Sequence, residues 1–328
     1  MRATGAALVA AAAVVVALLA SSTSGPTSAP SRASASIVLR RAALAADAQQ
    51  PLVPGPGQFL YVRLLVGSRA GYDFFLATGP PRQLSRYYVQ SMNQLWTAPS
   101  GPNRQTMTVV GQPQFITQAD RSLWREAGSP PIESGYGSGT APPYYDVTDL
   151  PTDPSKMAAY FTSQSDLPSA PADGRDGLWD FSTAASFLEN GASATQRAAL
   201  LEYMATIPGV SNDGTGTTLG TKETGTILSI PSRRPGSTYQ AIIDPSTSRL
   251  LETRLVVSDP SALVAPTRAE VASGRAIAPL GAGQAESYVD FLYAGIADSS
   301  SAAPATAPAA PPAWPFGTGR LPVPGSAY

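Results

Sequence analysis

Residues 241–257 read AIIDPSTSRLLETRLVV. One apolar run ends at Asp244, a second begins at Arg249, and only Pro245, Ser246, Thr247 and Ser248 lie between them. A parallel crossover needs about a dozen residues or more, so two strands this close in sequence must pair antiparallel. An aspartate at a strand end with a threonine three residues later also has the form of a phosphoaspartate site. That chemistry, however, needs a helix after the strand, so that backbone amides at its N-terminus can meet the phosphate. A second strand follows here instead. Asp244, Pro245 and Thr247 are therefore read as a structural turn: the carboxylate accepts from N–H groups ahead of it, Pro245 presets φ, and Thr247 adds a side-chain bond.

Working outward, GTILSI (225–230) and STYQAII (237–243) precede this hairpin as further strands, separated by turn-forming clusters. Upstream of them lie helix signals. Residues 193–196 form a Ser-x-x-Gln capping box ahead of Leu200, Leu201, Met204 and Ile207, with a stop at Pro208-Gly209. LWDFSTAASFLEN (178–190) is a second helix with Gly191 placed to end it. LPTDPSKMAAYF (150–161) is a third, with Thr152 or Asp153 as cap, Pro154 in the first turn, and Met157, Tyr160 and Phe161 on one face. Residues 118–146 hold a short polar stretch and then loop.

The first half of the chain is predicted as strands. FLYVRLLVG (59–67) and YDFFLATG (72–79) form two of them, with a turn at Ser68–Gly71. RYYVQSMNQLWTA (86–98) alternates Tyr88, Gln90, Met92, Gln94 and Trp96 against Tyr87, Val89, Ser91, Asn93 and Leu95, which leaves neither face wholly apolar. RQTMTVVG (104–111) is its antiparallel partner. SIVLRRAALAADAQQ (36–50) is a helix of about three turns, capped by Ser36.

The order helix, strands, helices, strands predicts an α+β fold: a single curved antiparallel sheet, drawn from both halves of the chain and covered on one face by helices. In element order this is similar to the half-barrel of bacterial periplasmic lipoprotein carriers, an analogy at the level of fold alone. The predicted domain spans residues 36–299. Before it, Arg2 and the apolar run 5–20 describe a signal peptide, or a signal anchor if uncleaved, with a polar linker to residue 35. Residues 300–328 are Pro/Ala-rich and expected to be disordered. The expected location is extracytoplasmic, secreted or tethered to the membrane by the N-terminal segment.

Composition excludes more than it assigns. Lys+Arg 22 against Asp+Glu 23 gives no field for nucleic acid. With Cys 0 and His 0 there is no Ser/His/Asp triad, no thiol nucleophile and no ordinary zinc site, so no catalytic residue, metal or cofactor is assigned. Asp173, Asp176 and Asp180 do not match an EF-hand loop. Neither lysine, Lys156 or Lys222, sits in Ser-x-x-Lys.

The segments LRRAALAADAQQPLVPGPGQFLYVR, LWTAPSGPNRQTMTVVGQPQFI, LPTDPSKMAAYF, RAALLEYMATIPGV, IIDPSTSRLLE and YVDFLYAGIADS occur in the order seen in an actinobacterial family of exported or membrane-anchored proteins, which the chain resembles between Ile37 and Ser299. That family often has Asp-Gly where this chain has Pro99-Ser100-Gly101, and glycine at the position of Ser248. The resemblance implies no catalytic residues. Its members are often encoded near extracytoplasmic-function sigma factors, which implies a link to envelope signalling.

Together these readings predict a non-catalytic envelope protein that binds a lipid or other apolar ligand, or an envelope or anti-sigma partner protein. The ligand would sit in a hollow between sheet and helices lined by Tyr88, Met92, Trp96, Met157, Phe161, Leu201 and Met204. The alternative is a carboxylate-dependent hydrolase of cell-wall glycans, which needs two carboxylates about 5–10 Å apart in an open cleft. A third reading is an interaction module whose Pro-rich tail docks a partner.

Overall fold

In a computed structural model of the chain, the described residues are 32–50, 52–74, 82–98, 103–115, 118–126, 128–129, 139–141, 147, 149–163, 176–189, 191–263 and 280–309. The segment 5–20, the turn at 99–101, Tyr144, Tyr145, Asp173 and residues 310–328 lie outside them.

Nine strands form one sheet: β1 (Phe59–Phe74), β2 (Arg82–Thr97), β3 (Asn103–Phe115), β4 (Gly139–Ala141), β5 (Ser211–Thr217), β6 (Thr224–Pro231), β7 (Ser237–Asp244), β8 (Arg249–Val257) and β9 (Ala285–Ala297). Their order is β4-β3-β2-β1-β9-β8-β7-β6-β5, every pairing is antiparallel, and the sheet is open. The single sheet drawn from both halves of the chain is thus present. Its junction is β9, which pairs with β1 from Phe59↔Ala297 onward and with β8 from Glu252↔Asp290 to Val256↔Ala285.

The helices are α1 (Arg32–Asp47), α2 (Gln118–Glu126), α3 (Pro154–Ser163), α4 (Gly177–Leu188) and α5 (Ala194–Met204). Helix α4 lies on β6, β7 and β8, α5 packs on α1, α3 and α4, and α2 packs on β2 and β3. All occupy one face. Tyr87 pairs with Phe115, whose ring stands 5.4 Å from Trp124 of α2, and Tyr87 shares the β2 pleat side of Leu95, opposite Val62 of β1. Leu60, on that same side, meets Gly191 at the α4–α5 turn.

Local chemistry explains the element ends. Asp153 Oδ1 accepts from Ser155 N at 2.9 Å at the start of α3. Asp176 caps α4 by accepting from Trp179 N at 2.9 Å. The Ser193–Gln196 box is complete, and Gln196 Nε2 also donates to the carbonyls of Val147 and Leu150, each at 2.8 Å, so α5 holds the preceding loop. Gly191 takes φ +86°, and a Cβ there would collide with Leu60.

Several expectations are corrected. Helix α1 starts a turn earlier than Ser36, because Ala35 packs in the core and favours continuing the helix. Residues 59–74 are one strand rather than two; Ser68–Gly71 pair in register with Arg86–Val89, and the ladder overrides the local turn signal. The polar stretch after 117 is helix α2, and Gly139–Ala141 within the expected loop is strand β4. Strand β5 is glycine-rich and is recruited by its ladder to β6. Of the Pro/Ala-rich tail, residues 300–309 lie across the face of the sheet opposite the helices. No helix among the described residues is long and apolar enough to cross a membrane.

Candidate functional site

The helices pack on the sheet through one buried apolar cluster. Met157, Phe161, Leu201 and Met204 are each fully buried in one cluster with Leu39, Phe181, Phe187, Leu188, Ile243 and Leu250. Phe161 stacks on Tyr203 with centroids 5.3 Å apart and meets Trp179 and Phe187 edge-on at 6.0 and 5.9 Å. Met157, Phe161 and Leu201 are packed core, a correction to the predicted lining, whereas Met204, though buried, also borders a cleft of about 160 Å³ with Leu39, Ile207 and Val210.

Tyr88, Met92 and Trp96 are also misplaced in that prediction. They lie on the opposite face of β2, because Trp96 pairs with Tyr61, the neighbour of helix-facing Leu60. Met92 is buried with Leu65 and Val110; Trp96 is buried with Tyr61 and Ala297. Tyr88 Oη donates to the carbonyl of Ala285 at 2.6 Å. The seven predicted residues therefore form two groups separated by the sheet.

The turn reading of Asp244 matches the geometry. Its Oδ1 accepts from Ser246 N and Oγ at 2.9 and 2.6 Å, and its Oδ2 from Thr247 Oγ1 at 2.7 Å. Partial burial pushes its carboxyl up, but the bonds from Ser246 and Thr247 outweigh this and hold it below the ordinary value. Ser248 closes the turn at φ +54°, a left-handed conformation that costs a β-carbon residue about 1 kcal/mol.

Two clefts adjoin the helices. One, of about 190 Å³, lies between the end of α1, the α4–α5 turn and β9, with Leu52, Leu60 and Phe291 on its apolar side and Gln49, Arg197 and Arg249 on its polar side. The other, of about 160 Å³, is bounded by α1 and the end of α5. In the first, Arg197 bridges elements: it stands 3.7 Å from Glu189 and donates to the carbonyl of Ser248 at 2.8 Å and to that of Leu188. Glu189 also accepts from Leu250 N at 3.0 Å. Burial raises the Glu189 carboxyl while Arg197 and that amide pull it down, leaving it above its ordinary value.

The sheet face opposite the helices holds a constellation that sequence reasoning missed. Glu252 of β8 and Asp290 of β9 are both 0% exposed and sit in direct register. The loop 218–223 closes over them: Leu219 N donates to Glu252 Oε2 and Thr221 N to Asp290 Oδ2 at 2.7 Å. Gly220 permits this approach, since a Cβ would collide with Asp290 and Leu65. Arg254 Nη1 lies 3.3 Å from Glu252 Oε1. Burial, together with the hydrogen bond and charge of Asp290, raises Glu252 to about 9. Asp290 Oδ1 has no hydrogen-bond partner among the described residues, and burial together with the neighbouring carboxyl favours the protonated form of Glu252. The signal in the sequence is only an acidic residue amid an apolar strand in each of LLETRLVV and YVDFLY, which pairing alone turns into a dyad.

On the same face, residues 300–309 rest on an aromatic and cationic bed. Trp96 Nε1 donates to the carbonyl of Ala302 at 2.9 Å, Arg104 to that of Ser300 at 3.0 Å, and Arg63 to that of Pro308. Thr306 bonds Tyr293 Oη at 2.6 Å, and Ala307 packs with Tyr61, Trp96 and Ala297. Arg63 is 4% exposed; among the described residues its acceptors are the Pro308 carbonyl and Tyr61 Oη, the latter at 2.9 Å.

The other sequence candidates are engaged structurally. Asp176 caps α4 and pairs with Arg233 at 2.7 Å, and Asp180 accepts from Tyr203 Oη at 2.6 Å. Among the described residues no group of three potential ligands is placed to hold a metal ion.

No protein-family model and no curated protein sequence matches the chain. Among solved structures, the chain is similar to one in the Pseudomonas aeruginosa MucA/MucB complex at 12% identity and a TM-score of 0.24, covering 83% of this chain and 59% of that one. It is also similar to one in the crystal structure of MucB in complex with MucA(peri), at 12% identity and a TM-score of 0.23, covering 83% and 57%. The chain thus spans less than two thirds of the length of these neighbours.

Proposed function

We propose that this chain is a non-catalytic extracytoplasmic protein that binds a partner polypeptide, and that the cleft between α1, the α4–α5 turn and β9 receives a side chain of that partner. The observation that carries this reading is the size and polarity of the cleft. At about 190 Å³ it falls below the roughly 300 Å³ at which small-ligand sites begin, and it sets Leu60 and Phe291 against Gln49, Arg197 and Arg249. A lipid tail needs a longer and drier cavity. A protein side chain with an apolar body and a polar tip fits. Around the cleft, Leu52 is 43% and Val53 67% exposed, and α1 presents Ile37 and Leu44 to solvent, a surface suited to a protein contact.

The hydrolase alternative finds no support at the carboxylate pair. Glycoside hydrolysis needs two carboxyl groups flanking a substrate in an open cleft, whereas Glu252 and Asp290 are paired across β8 and β9, are 0% exposed and accept from the loop 218–223. The exported setting rests on the N-terminal segment and on the resemblance to an exported actinobacterial family.

Photo-cross-linking tests the proposal. A benzophenone side chain at position 52 is expected to trap one envelope protein, while the same probe at exposed Glu202 traps none; Arg249→Glu should abolish the adduct. A stoichiometric lipid in native mass spectrometry, with no adduct at position 52, would overturn the reading.

A further inference from the structure

We propose that the bed formed by Tyr61, Arg63, Trp96, Arg104 and Tyr293 is a docking site for a proline- and alanine-rich segment of a partner protein, and that residues 300–309 are a built-in occupant which such a segment displaces. This does not rest on the cleft, with which the bed shares only Tyr293.

The argument starts from donors. Three side chains of the bed, Trp96 Nε1 and the Arg63 and Arg104 guanidiniums, all donate to main-chain carbonyls of the segment. None of these bonds depends on which side chain the bound residue carries. A surface that offers donors to a backbone suits proline, whose missing N–H would have no acceptor to meet there. The planar rings supply the apolar floor: Tyr61 lies 5.2 Å from Trp96 and 6.1 Å from Tyr293, and the Arg104 guanidinium sits 5.7 Å from the Trp96 ring centre. Aromatic beds with a few donors recognise proline-rich segments in this way.

The resident segment covers Arg63, which is 4% exposed beneath it and has the Pro308 carbonyl as one of its two acceptors among the described residues. A backbone laid on the bed therefore replaces water at this guanidinium with a charge-assisted hydrogen bond. The resident segment is nonetheless lightly held. Only Pro304 and Ala307 of residues 301–309 are half-buried and the others are exposed. Its internal order is one turn, closed by Ala307 N to the Pro304 carbonyl at 2.9 Å. Being covalently attached, it competes at a high effective concentration despite these few contacts.

The test uses the full chain, wild type and Ala307→Asp, which sets a charge against Tyr61 and Trp96 and expels the segment. Three peptides are titrated by calorimetry: residues 299–309, an alternating Ala-Pro decapeptide and a Gly-Ser decapeptide. The first two are expected to bind A307D at least about ten-fold more tightly than wild type. Trp96→Phe in the A307D background should weaken them about five-fold, the loss of one hydrogen bond. Equal affinity for wild type and A307D, or no binding of either peptide to A307D, would overturn the proposal. So would binding of the 299–309 peptide alone, which would make the bed a seat for the chain's own tail. Gly-Ser binding as tight as Ala-Pro would likewise remove the selectivity claimed.

Discussion

Replacing Glu252 with glutamine isolates the buried carboxyl pair with unusual clarity, because the chain contains no histidine. In most proteins histidine titration obscures the pH range 6–8. Here the carboxyls raised above their ordinary value are glutamates: Glu252, raised to about 9 by burial and by Asp290, and Glu189, raised by burial against the pull of Arg197. The lowered carboxyls of Asp153, Asp176, Asp244 and Asp259 act only below their ordinary value of 3.8. A folded-state pKa raised above the unfolded value means that the folded chain binds the extra proton. The associated stability is fully present below the unfolded pKa of 4.5 and is lost as pH rises toward about 9. Each bound proton gives a slope of about 1.4 kcal/mol per pH unit, so wild type should lose at most about 3 kcal/mol between pH 6 and 8 through Glu252. Glutamine keeps a donor toward Asp290 and cannot ionise. In E252Q the part of this loss due to Glu252 should vanish, leaving any drift due to Glu189. Urea unfolding at pH 6, 7 and 8 measures both. A wild-type midpoint that is flat with pH, or an E252Q slope as steep as the wild type, would refute the raised Glu252 carboxyl.

Further outcomes follow from the packing. Phe161→Ala should cost about 3–5 kcal/mol by chemical denaturation, as expected of a filled core, whereas a ligand-lining residue would change stability far less. Gln196→Ala removes half of a capping box and two bonds to the Val147 and Leu150 carbonyls, and should cost about 2 kcal/mol and expose residues 147–150 to faster amide exchange. Ser193→Ala, which removes the cap alone, should cost about 1 kcal/mol. Ser248→Val places a β-branched residue at φ +54° and should destabilise by about 1–2 kcal/mol, while Ser248→Gly should not; a stable S248V would contradict the left-handed assignment.

Much of the fold was legible where the signal is local. The four residues between Asp244 and Arg249 determine an antiparallel hairpin whatever surrounds it, and the Ser193–Gln196 box and Gly191 mark helix ends through features within a few residues of themselves. What was misread depended on distant partners. Ser68–Gly71 carry a turn signal, yet β2 holds them in a ladder; β5 is too rich in glycine to announce a strand, yet β6 recruits it. The predicted pocket failed for a related reason. Alternation in β2 separates two faces but does not say which one meets the helices, so Trp96 and Phe161 were placed together although the sheet divides them.

By itself, the sequence determined antiparallel pairing, the capped helices, the absence of imidazole and thiol chemistry, and Asp244 as a turn, because each depends on residue type or on spacing along the chain. Only the tertiary structure decided that β9 joins the two halves, that Glu252 and Asp290 pair across β8 and β9, that Met157, Phe161 and Leu201 are core, and that residues 300–309 lie on the opposite face. Those facts depend on which strand lies beside which, and strand order brings together residues tens or hundreds of positions apart without leaving a local trace.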